Sequence, residues 1–197
     1  MTHISSTGFW SGESPFHAMS KPLANWIVEY LGNHKDKQIY DFGCGTGMYL
    51  KTLQNAGFTK LTGFEGDVPT NKEFSNIIKQ DLTKPFTVAE PGTVISLEVA
   101  EHIPKQYTQA YLNNLFNACE SQGKLIISWA VRGQGGHGHC HELNNDEAIA
   151  LVVAKGFTYL GPDTKSARLT VDPTKNSVEN GDLPWFHNTV LIFQKNS

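Results

Sequence analysis

The hydrophobic positions of this chain follow two patterns that alternate along its length. Short, almost continuous apolar runs, typical of strands buried on both faces of a parallel sheet, occur at 39–42, 61–65, 77–78, 94–97, 123–130 and 157–160. Between them, apolar residues recur every three or four positions, which predicts helices over 46–56, 104–119 and 145–155. Strands that alternate with helices predict an α/β fold with a doubly wound, mostly parallel sheet.

The two ends of the chain add further elements. Helical spacing across 15–31 predicts a first helix lying over a ligand cleft, with Pro22 tolerable only in its first turn or as a break. Aromatic residues beside glycine and serine in 9–17 suit either a lid over that cleft or an apolar anchor for the helix. Segment 189–194 predicts a last, antiparallel strand at the sheet edge. Only about a dozen residues join Asp81 to Val94, so a turn replaces the helix expected there.

A glycine-rich turn follows the first central strand. Its sequence, D-F-G-C-G-T-G over 41–47, places glycine at every second position and an acidic residue two places before the first glycine. Such glycines let the chain leave a strand sharply and give a ligand room against the main chain. The dinucleotide fingerprint G-x-G-x-x-G is not met, because Met48 and Leu50 stand where its third glycine would be. A nicotinamide-dependent reductase is therefore disfavoured.

Acidic residues follow at the ends of later strands. Glu65 comes about twenty residues after the glycine turn, where a carboxylate can accept hydrogen bonds from both hydroxyls of a ribose. Asp81 and Leu82 follow the third apolar run, and the fourth leads into L-E-V-A-E-H-I-P over 97–104. Because the carboxyl ends of parallel strands meet at one edge of a sheet, these segments should surround one crevice.

In this order, the segments resemble the class I S-adenosylmethionine (SAM) methyltransferases, which have a D-x-G-x-G-x-G first motif and, in small-molecule members, L-E-V-x-E-H-I-P. The resemblance covers roughly 30–157 and implies a Rossmann-like, seven-stranded sheet of order 3-2-1-4-5-7-6 with an antiparallel edge strand. It implies SAM as cofactor and S-adenosylhomocysteine as product, with Asp81 on the adenine amino group and Leu82 against the ring. The implied cofactor-binding residues are Asp41, Gly43, Cys44, Gly45, Gly47, Glu65, Gly66, Asp81, Leu82, Leu97 and Glu98.

A loop rich in glycine and histidine, 132–142, follows the fifth strand. Imidazole titrates near working pH, so His139 or His141 could take a proton from the methyl acceptor, as could His102 of the fourth-strand motif. The alternative is a mobile connection with exposed histidines. Methyl transfer from a sulfonium needs mainly positioning and removal of one proton, so no nucleophile motif is expected.

Two possible metal sites are alternatives to a metal-free mechanism. If a helix began at Glu98, then Glu101 or His102 would share its face. A similar E-x-x-E-H holds a divalent ion in ubiquinone-pathway and small-RNA O-methyltransferases, and a histidine of 137–141 could add a fourth ligand. Other proteins with this motif use no metal, and we expect none here. A zinc site built from the loop alone is disfavoured, because no C-x-x-C partner exists for His137, His139, Cys140 and His141.

Composition adds limits to this hypothesis. With 197 residues and 39% hydrophobic content, the chain suits one domain over 1–197, divided into an N-terminal segment 1–31 and a core 37–197. The 16 basic and 19 acidic residues leave no broad basic face for a long nucleic acid. The absence of a long apolar run or signal-peptide pattern, with three irregularly spaced cysteines, predicts a cytoplasmic protein without membrane contact.

The function expected from these residues is transfer of a methyl group from SAM to an oxygen or nitrogen of a small-molecule or sugar-like acceptor. A non-catalytic SAM-binding module is the competing class. The intact Asp41, Gly43, Glu65 and Asp81 argue against loss of the chemistry. The sequence leaves the acceptor and the oligomeric state open.

Overall fold

The computed structural model describes residues 3–11 and 17–197. Two short strands, β1 (His3–Ile4) and β2 (Trp10–Ser11), pair as an antiparallel hairpin. The strands of the central sheet are β3 (Gln38–Phe42), β4 (Lys60–Glu65), β5 (Ile77–Lys79), β6 (Thr93–Ser96), β7 (Lys124–Ser128), β8 (Phe157–Tyr159) and β9 (Val190–Lys195). The α-helices are α1 (Lys21–Tyr30), α2 (Met48–Asn55), α3 (Thr108–Ala118), α4 (Asn145–Ala154), α5 (Gly161–Leu169) and α6 (Phe186–Thr189).

The sheet has the order β5-β4-β3-β6-β7-β9-β8. Numbered along the chain, these seven strands give 3-2-1-4-5-7-6, which confirms the predicted order and fold class. Strand β9 pairs antiparallel with both β7 and β8, and the other pairs are parallel. Antiparallel pairing at this edge is confirmed, but the edge strand is β8, and β9 lies one place inside it. The reason is burial, because a strand apolar on both faces is better covered between two neighbours.

Side chains alternate between two apolar layers across the sheet. In β3, Tyr40 and Phe42 pack into the layer that contains α3 and α4, whereas Ile39 packs into the layer that contains α1, α2 and α5. Successive residues of a strand point to opposite faces, so a continuous apolar run supplies both layers at once. This covering of both faces leaves the strand ends as the accessible part of the sheet.

Helix α1 begins later than its apolar spacing predicts. Its N-cap is Ser20, whose hydroxyl accepts a hydrogen bond from the N–H of Leu23 at 3.4 Å, and Pro22 occupies the first turn. Residues 12–16 lie outside the described part of the chain, so the predicted lid over 9–17 is described only at 9–11 and 17.

Other helix bounds differ from the predicted ones for local reasons. The helix expected from 46 begins at Met48, because Gly47 has a φ of 87°, and it ends at Asn55 before Gly57, the predicted C-terminal glycine. The helix expected from 104 begins as a 3-10 turn, Lys105–Tyr107, before α3. The connection between β5 and β6 is turn and irregular chain, as predicted. Helices α5 and α6 were not predicted. No helix in the described ranges is long and apolar enough to cross a membrane.

Candidate active site

The glycine turn leaves β3 in a conformation that needs glycine. Gly43, Gly45 and Gly47 have φ values of 81°, 55° and 87°, a region that other residues rarely adopt. A Cβ atom on Gly43 would lie 2.3 Å from Cγ2 of Val99, in the loop after β6. The turn therefore packs directly against the fourth-strand motif.

Glu65 at the end of β4 holds this turn. Its Oε2 accepts a hydrogen bond from the N–H of Gly45 and its Oε1 accepts one from the N–H of Gly66, both at 2.8 Å. Burial raises the pKa of Glu65, and these backbone hydrogen bonds act in the opposite direction. Each carboxylate oxygen can accept more than one hydrogen bond, so the proposed ribose contact remains available. Sequence analysis missed the role of Glu65 in shaping the turn.

Asp41 adds a second buried carboxylate. Only 3% of the residue is exposed, and its Oδ2 has no hydrogen-bond partner among the described residues. Burial, followed by the charge of Glu65, raises the pKa of Asp41 to about 8. A positively charged ligand would offset the cost of ionising this group.

Asp81 lies beyond the end of β5. Its Oδ1 accepts hydrogen bonds from the N–H and hydroxyl of Thr83, at 2.9 and 2.7 Å. Its Oδ2 accepts one from the hydroxyl of Thr7 at 3.2 Å. A residue of the N-terminal hairpin therefore contacts a predicted cofactor-binding side chain.

These strand ends surround one cleft of about 370 Å³. Ten predicted cofactor-binding residues line it: Asp41, Gly43, Cys44, Gly45, Glu65, Gly66, Asp81, Leu82, Leu97 and Glu98. Gly47 is not among the lining residues, and a Cβ there would lie 2.5 Å from Cβ of Phe74. The helix predicted to cover the cleft, α1, does not line it. The wall includes residues that sequence analysis did not assign to the site: Thr7, Gly8, Met48, Tyr49 and Trp185. Trp10 of the predicted lid and His137 of the glycine- and histidine-rich loop line it too.

Glu98 does not share a helix face with Glu101, so the helical premise of the alternative metal set Glu98, Glu101 and His102 is wrong. The 3-10 turn covers only Ala100–His102, and Glu98 precedes it with a φ of 57°. Its N–H donates to the Ser128 hydroxyl at 2.7 Å, and that hydroxyl donates to its Oε1 at 2.8 Å. Burial raises the pKa of Glu98 to about 7, opposed by the Ser128 hydrogen bond.

Glu101 is fully buried and connects two loops. Its carbonyl oxygen accepts hydrogen bonds from the N–H groups of Cys140 and His141, both at 3.0 Å. Neither carboxylate oxygen has a hydrogen-bond partner of good geometry among the described residues. Burial, followed by the charge of Glu98, raises the pKa of Glu101 well above its usual range. Single ligand atoms of Glu101, His102 and His139 lie within 4.8 Å of one another.

His102 and His139 face each other in the wall of the cleft. Their ring centroids lie 5.0 Å apart in an edge-to-face arrangement. Burial, and then the neighbouring His139, lower the pKa of His102 to about 4, so its ring is neutral near pH 7. His139 Nδ1 lies 2.9 Å from Oε1 of Glu142.

Glu142 is itself held by the glycine loop. It accepts hydrogen bonds from the N–H groups of Gly133 and Gly135, both at 2.8 Å. Although burial acts in the other direction, the hydrogen bonds from His139 and the two glycines keep the pKa of Glu142 below its usual value. The loop is thus organised around one carboxylate, and that carboxylate orients His139.

His141 does not line the cleft, which disfavours its predicted role as the base. Its Nδ1 lies 3.2 Å from the Thr108 hydroxyl, and its ring packs against Trp129. It lines a second, outer cavity between α3 and α4, which meets the cleft at His139. Cys140 is exposed and does not line the cleft either. Among the residues that the structure describes, the loop residues of the disfavoured zinc alternative do not form a group of close ligand atoms.

Known proteins share this sequence and this fold. The family described as "Methyltransferase domain" matches residues 16–160, about three quarters of the 197-residue chain. The chain belongs to this methyltransferase family. The ubiquinone biosynthesis O-methyltransferase of Rickettsia bellii is 26% identical over 139 residues, covering 62% of this chain and 57% of that protein. The match thus spans a little over half the length of the relative.

Solved structures show the same architecture at low identity. The 1,6-didemethyltoxoflavin-N1-methyltransferase of Burkholderia thailandensis, with its substrate and S-adenosylhomocysteine bound, has a TM-score of 0.63 at 16% identity, covering 90% of this chain and 78% of that one. The [4+2]-cyclase SpnF has a TM-score of 0.62 at 12% identity, covering 98% and 88%. At these identities the likeness concerns the fold of the methyltransferase domain, and its reaction has to be argued from the site.

The pKa of Asp41 predicts how stability changes with pH. The pKa of Asp41 in the folded protein, about 8, exceeds that of an unfolded aspartate, about 4, so the folded state holds this proton more tightly. The free energy of unfolding of the cofactor-free protein should therefore fall as pH rises from about 4 to about 8. Asp41→Asn cannot ionise, so its free energy of unfolding should fall less over this interval. Urea denaturation at several pH values measures the difference, with the exposed Asp36→Asn as control. Equal pH dependence in wild type and Asp41→Asn would contradict the assignment.

Proposed function

We propose that this chain is one SAM-dependent methyltransferase domain that methylates an oxygen or nitrogen of a small-molecule acceptor. The observation that carries the proposal is the single cleft, in which the glycine turn, Glu65 and Asp81 lie beside His102 and His139. A nucleoside cofactor and an acceptor could therefore occupy adjoining parts of one enclosure. Such enclosure supports the positioning on which methyl transfer depends.

The cofactor end of the cleft suits SAM in charge as well as shape. Glu65 would accept hydrogen bonds from the ribose hydroxyls, and Asp81 would accept one from the adenine amino group. The glycine turn would lie against the amino-acid portion of SAM. The carboxylates of Asp41 and Glu98 face the cleft with raised pKa values, and a cationic ligand would favour their ionised forms. SAM supplies an activated methyl group on a sulfonium, which needs no nucleophile from the protein.

The end of the cleft proposed for the methyl acceptor contains a histidine that can act as a general base. His139 lies in the cleft wall, and Glu142 at its Nδ1 leaves Nε2 as the basic nitrogen. His102 is a weak base near pH 7 because burial lowers its pKa to about 4. We therefore assign His139 to take the acceptor proton as the methyl group leaves sulfur, and His102 to contact the acceptor. The names of the relatives, which include an O-methyltransferase and an N-methyltransferase, support either acceptor atom.

Metal-assisted methyl transfer is the second candidate, and the unpartnered carboxylate of Glu101 favours it. Glu101, His102 and His139 could hold a divalent ion, and one carboxylate with two imidazoles suits Mn²⁺, Fe²⁺ or Zn²⁺ better than Ca²⁺. An ion there would supply Lewis-acid activation of an acceptor hydroxyl. Glu98 is absent from this group, because its carboxylate is turned to Ser128.

Cofactor binding is the first test. Glu65→Ala should weaken S-adenosylhomocysteine binding by about 2 to 4 kcal/mol, because it removes charged ribose hydrogen bonds and loosens the glycine turn. Titration calorimetry measures the change, with the exposed Glu73→Ala as control. If the wild-type protein bound a nicotinamide dinucleotide and no S-adenosylhomocysteine, the proposal would be wrong.

Turnover tests the assignment of the base. A panel of small hydroxyl and amine acceptors, screened with methyl-labelled SAM, identifies an acceptor. His139→Ala should then lower the rate about a hundredfold or more without loss of cofactor affinity, as is usual for a lost general base. His141→Ala is the matched control from the same loop, and it should change the rate little because His141 lies outside the cleft. The reverse order of effects would falsify the assignment, and a chain that methylates nothing while binding SAM would favour the non-catalytic module.

The metal candidate makes a separate prediction. Mn²⁺ at about 1 mM should raise the melting temperature of the wild-type protein by mass action, and Glu101→Gln should remove that rise because it withdraws the anionic ligand. Differential scanning fluorimetry measures both proteins, with Glu73→Gln as the control. An unchanged melting temperature together with full turnover in EDTA would eliminate this candidate.

A further inference from the structure

The hairpin β1–β2 forms part of the cleft wall, and of its residues only Phe9, Trp10 and Ser11 fall within the segment 9–17 that the sequence offered as a lid. Thr7, Gly8 and Phe9 of its turn all line the cleft. Ser5 shapes this turn, since its hydroxyl accepts hydrogen bonds from the N–H groups of Thr7 and Phe9, both at 3.2 Å. The N–H of Ser5 donates to the Phe9 carbonyl at 2.9 Å. The turn is therefore a defined structure that presents particular side chains to the cleft.

Phe9 lies directly over Gly66. A Cβ atom on Gly66 would lie 2.2 Å from Cγ of Phe9, so the ring occupies the space that a side chain at 66 would fill. Gly66 follows Glu65, the residue proposed to bind the ribose. Strand β4 thus supplies no apolar side chain next to the ribose position, and the hairpin supplies an aromatic ring instead.

Thr7 contacts the other end of the same region. Its hydroxyl donates to Oδ2 of Asp81 at 3.2 Å, while Thr83 occupies Oδ1 of that carboxylate. Thr7 therefore contacts Asp81, the residue proposed to bind the adenine amino group. Phe9 contacts Gly66, which is next to the proposed ribose site.

Gly8 sets the position of the hairpin on the core. Its φ is 97°, and a Cβ atom on it would lie 2.0 Å from the carbonyl oxygen of His102. The turn is thus in van der Waals contact with the loop after β6. A side chain at position 8 would lift Thr7 and Phe9 together away from the cleft.

We propose that the hairpin completes the adenosine site, with the Phe9 ring covering the adenine and Thr7 holding the Asp81 carboxylate in place to receive its amino group. This inference rests on the proposed function, because it requires SAM as the ligand. An adenine ring offers a flat apolar face, and stacking on an aromatic side chain stabilises such rings substantially. Phe9 and Thr7 are therefore cofactor-binding residues of this chain, and Gly66 is the glycine that gives Phe9 its place.

The test compares the affinities of wild type, Phe9→Ala and Phe9→Trp for S-adenosylhomocysteine and for adenosine by titration calorimetry. Phe9→Ala should weaken both ligands by the same factor, about tenfold to a hundredfold, the usual effect of losing a stacked ring. Phe9→Trp should remain close to wild type because it retains an aromatic face. The exposed Ser6→Ala, in the same turn, is the matched control and should bind normally.

A second variant tests the geometry without removing the ring. Gly8→Ala should reproduce the loss seen for Phe9→Ala, because it displaces the whole turn. Equal or tighter binding by Phe9→Ala, or loss for S-adenosylhomocysteine alone with adenosine unaffected, would overturn the inference while leaving the proposed function intact. Failure of the wild-type protein to bind S-adenosylhomocysteine would instead overturn the proposed function and this inference with it.

Discussion

Burial of carboxylates at the carboxyl edge of the sheet is the constraint on which the site depends. Asp41, Glu65 and Glu101 are each less than a tenth exposed, and burial of an ionised carboxylate is costly unless donors or cations compensate it. Hydrogen bonds from the backbone N–H groups of Gly45 and Gly66 offset part of the cost of burying the Glu65 carboxylate. Asp41 and Glu101 keep unpartnered oxygens among the described residues, which makes this edge suited to cationic ligands such as the proposed cofactor.

Contacts between two loops, and within one of them, position the two histidines His102 and His139 in the cleft wall. The carbonyl oxygen of Glu101, after β6, accepts hydrogen bonds from two N–H groups of the loop after β7. Within that loop, Glu142 accepts hydrogen bonds from the N–H groups of two glycines. These contacts bring His139 to face His102. His141 lies beside Thr108 instead, so of two histidines two residues apart only His139 lines the cleft.

Several predictions from the sequence were confirmed because each rested on a local requirement. The glycine turn needs positive φ values that other residues rarely adopt, and Gly57 ends α2 as the apolar pattern predicted. Continuous apolar runs identified the strands, and the strand order followed from the family resemblance. The run at 77–78 was wrongly predicted to be buried, because β5 lies at the sheet edge and Ile78 is 47% exposed. The start of α1 was placed too early, since Ser20 and Pro22 set it and apolar spacing does not reveal a cap. The order implied by the resemblance placed β9 correctly between β7 and β8, and only its description as the edge strand was wrong, because the pattern of a single strand does not reveal its neighbours.

The sequence by itself determined the strands, the glycine turn and the identity of the acidic residues that follow them, because backbone conformation and alternation are local properties of the chain. Only the tertiary structure decided which side chains meet. Thr7 reaches Asp81 across 74 positions of the chain, and Phe9 lies over Gly66, contacts that no spacing rule contains. Likewise, the positive φ of Glu98 and its bond to Ser128 removed it from the group of Glu101, His102 and His139. Such distant pairs depend on how loops pack over a finished sheet, and that packing exists only once the chain has folded.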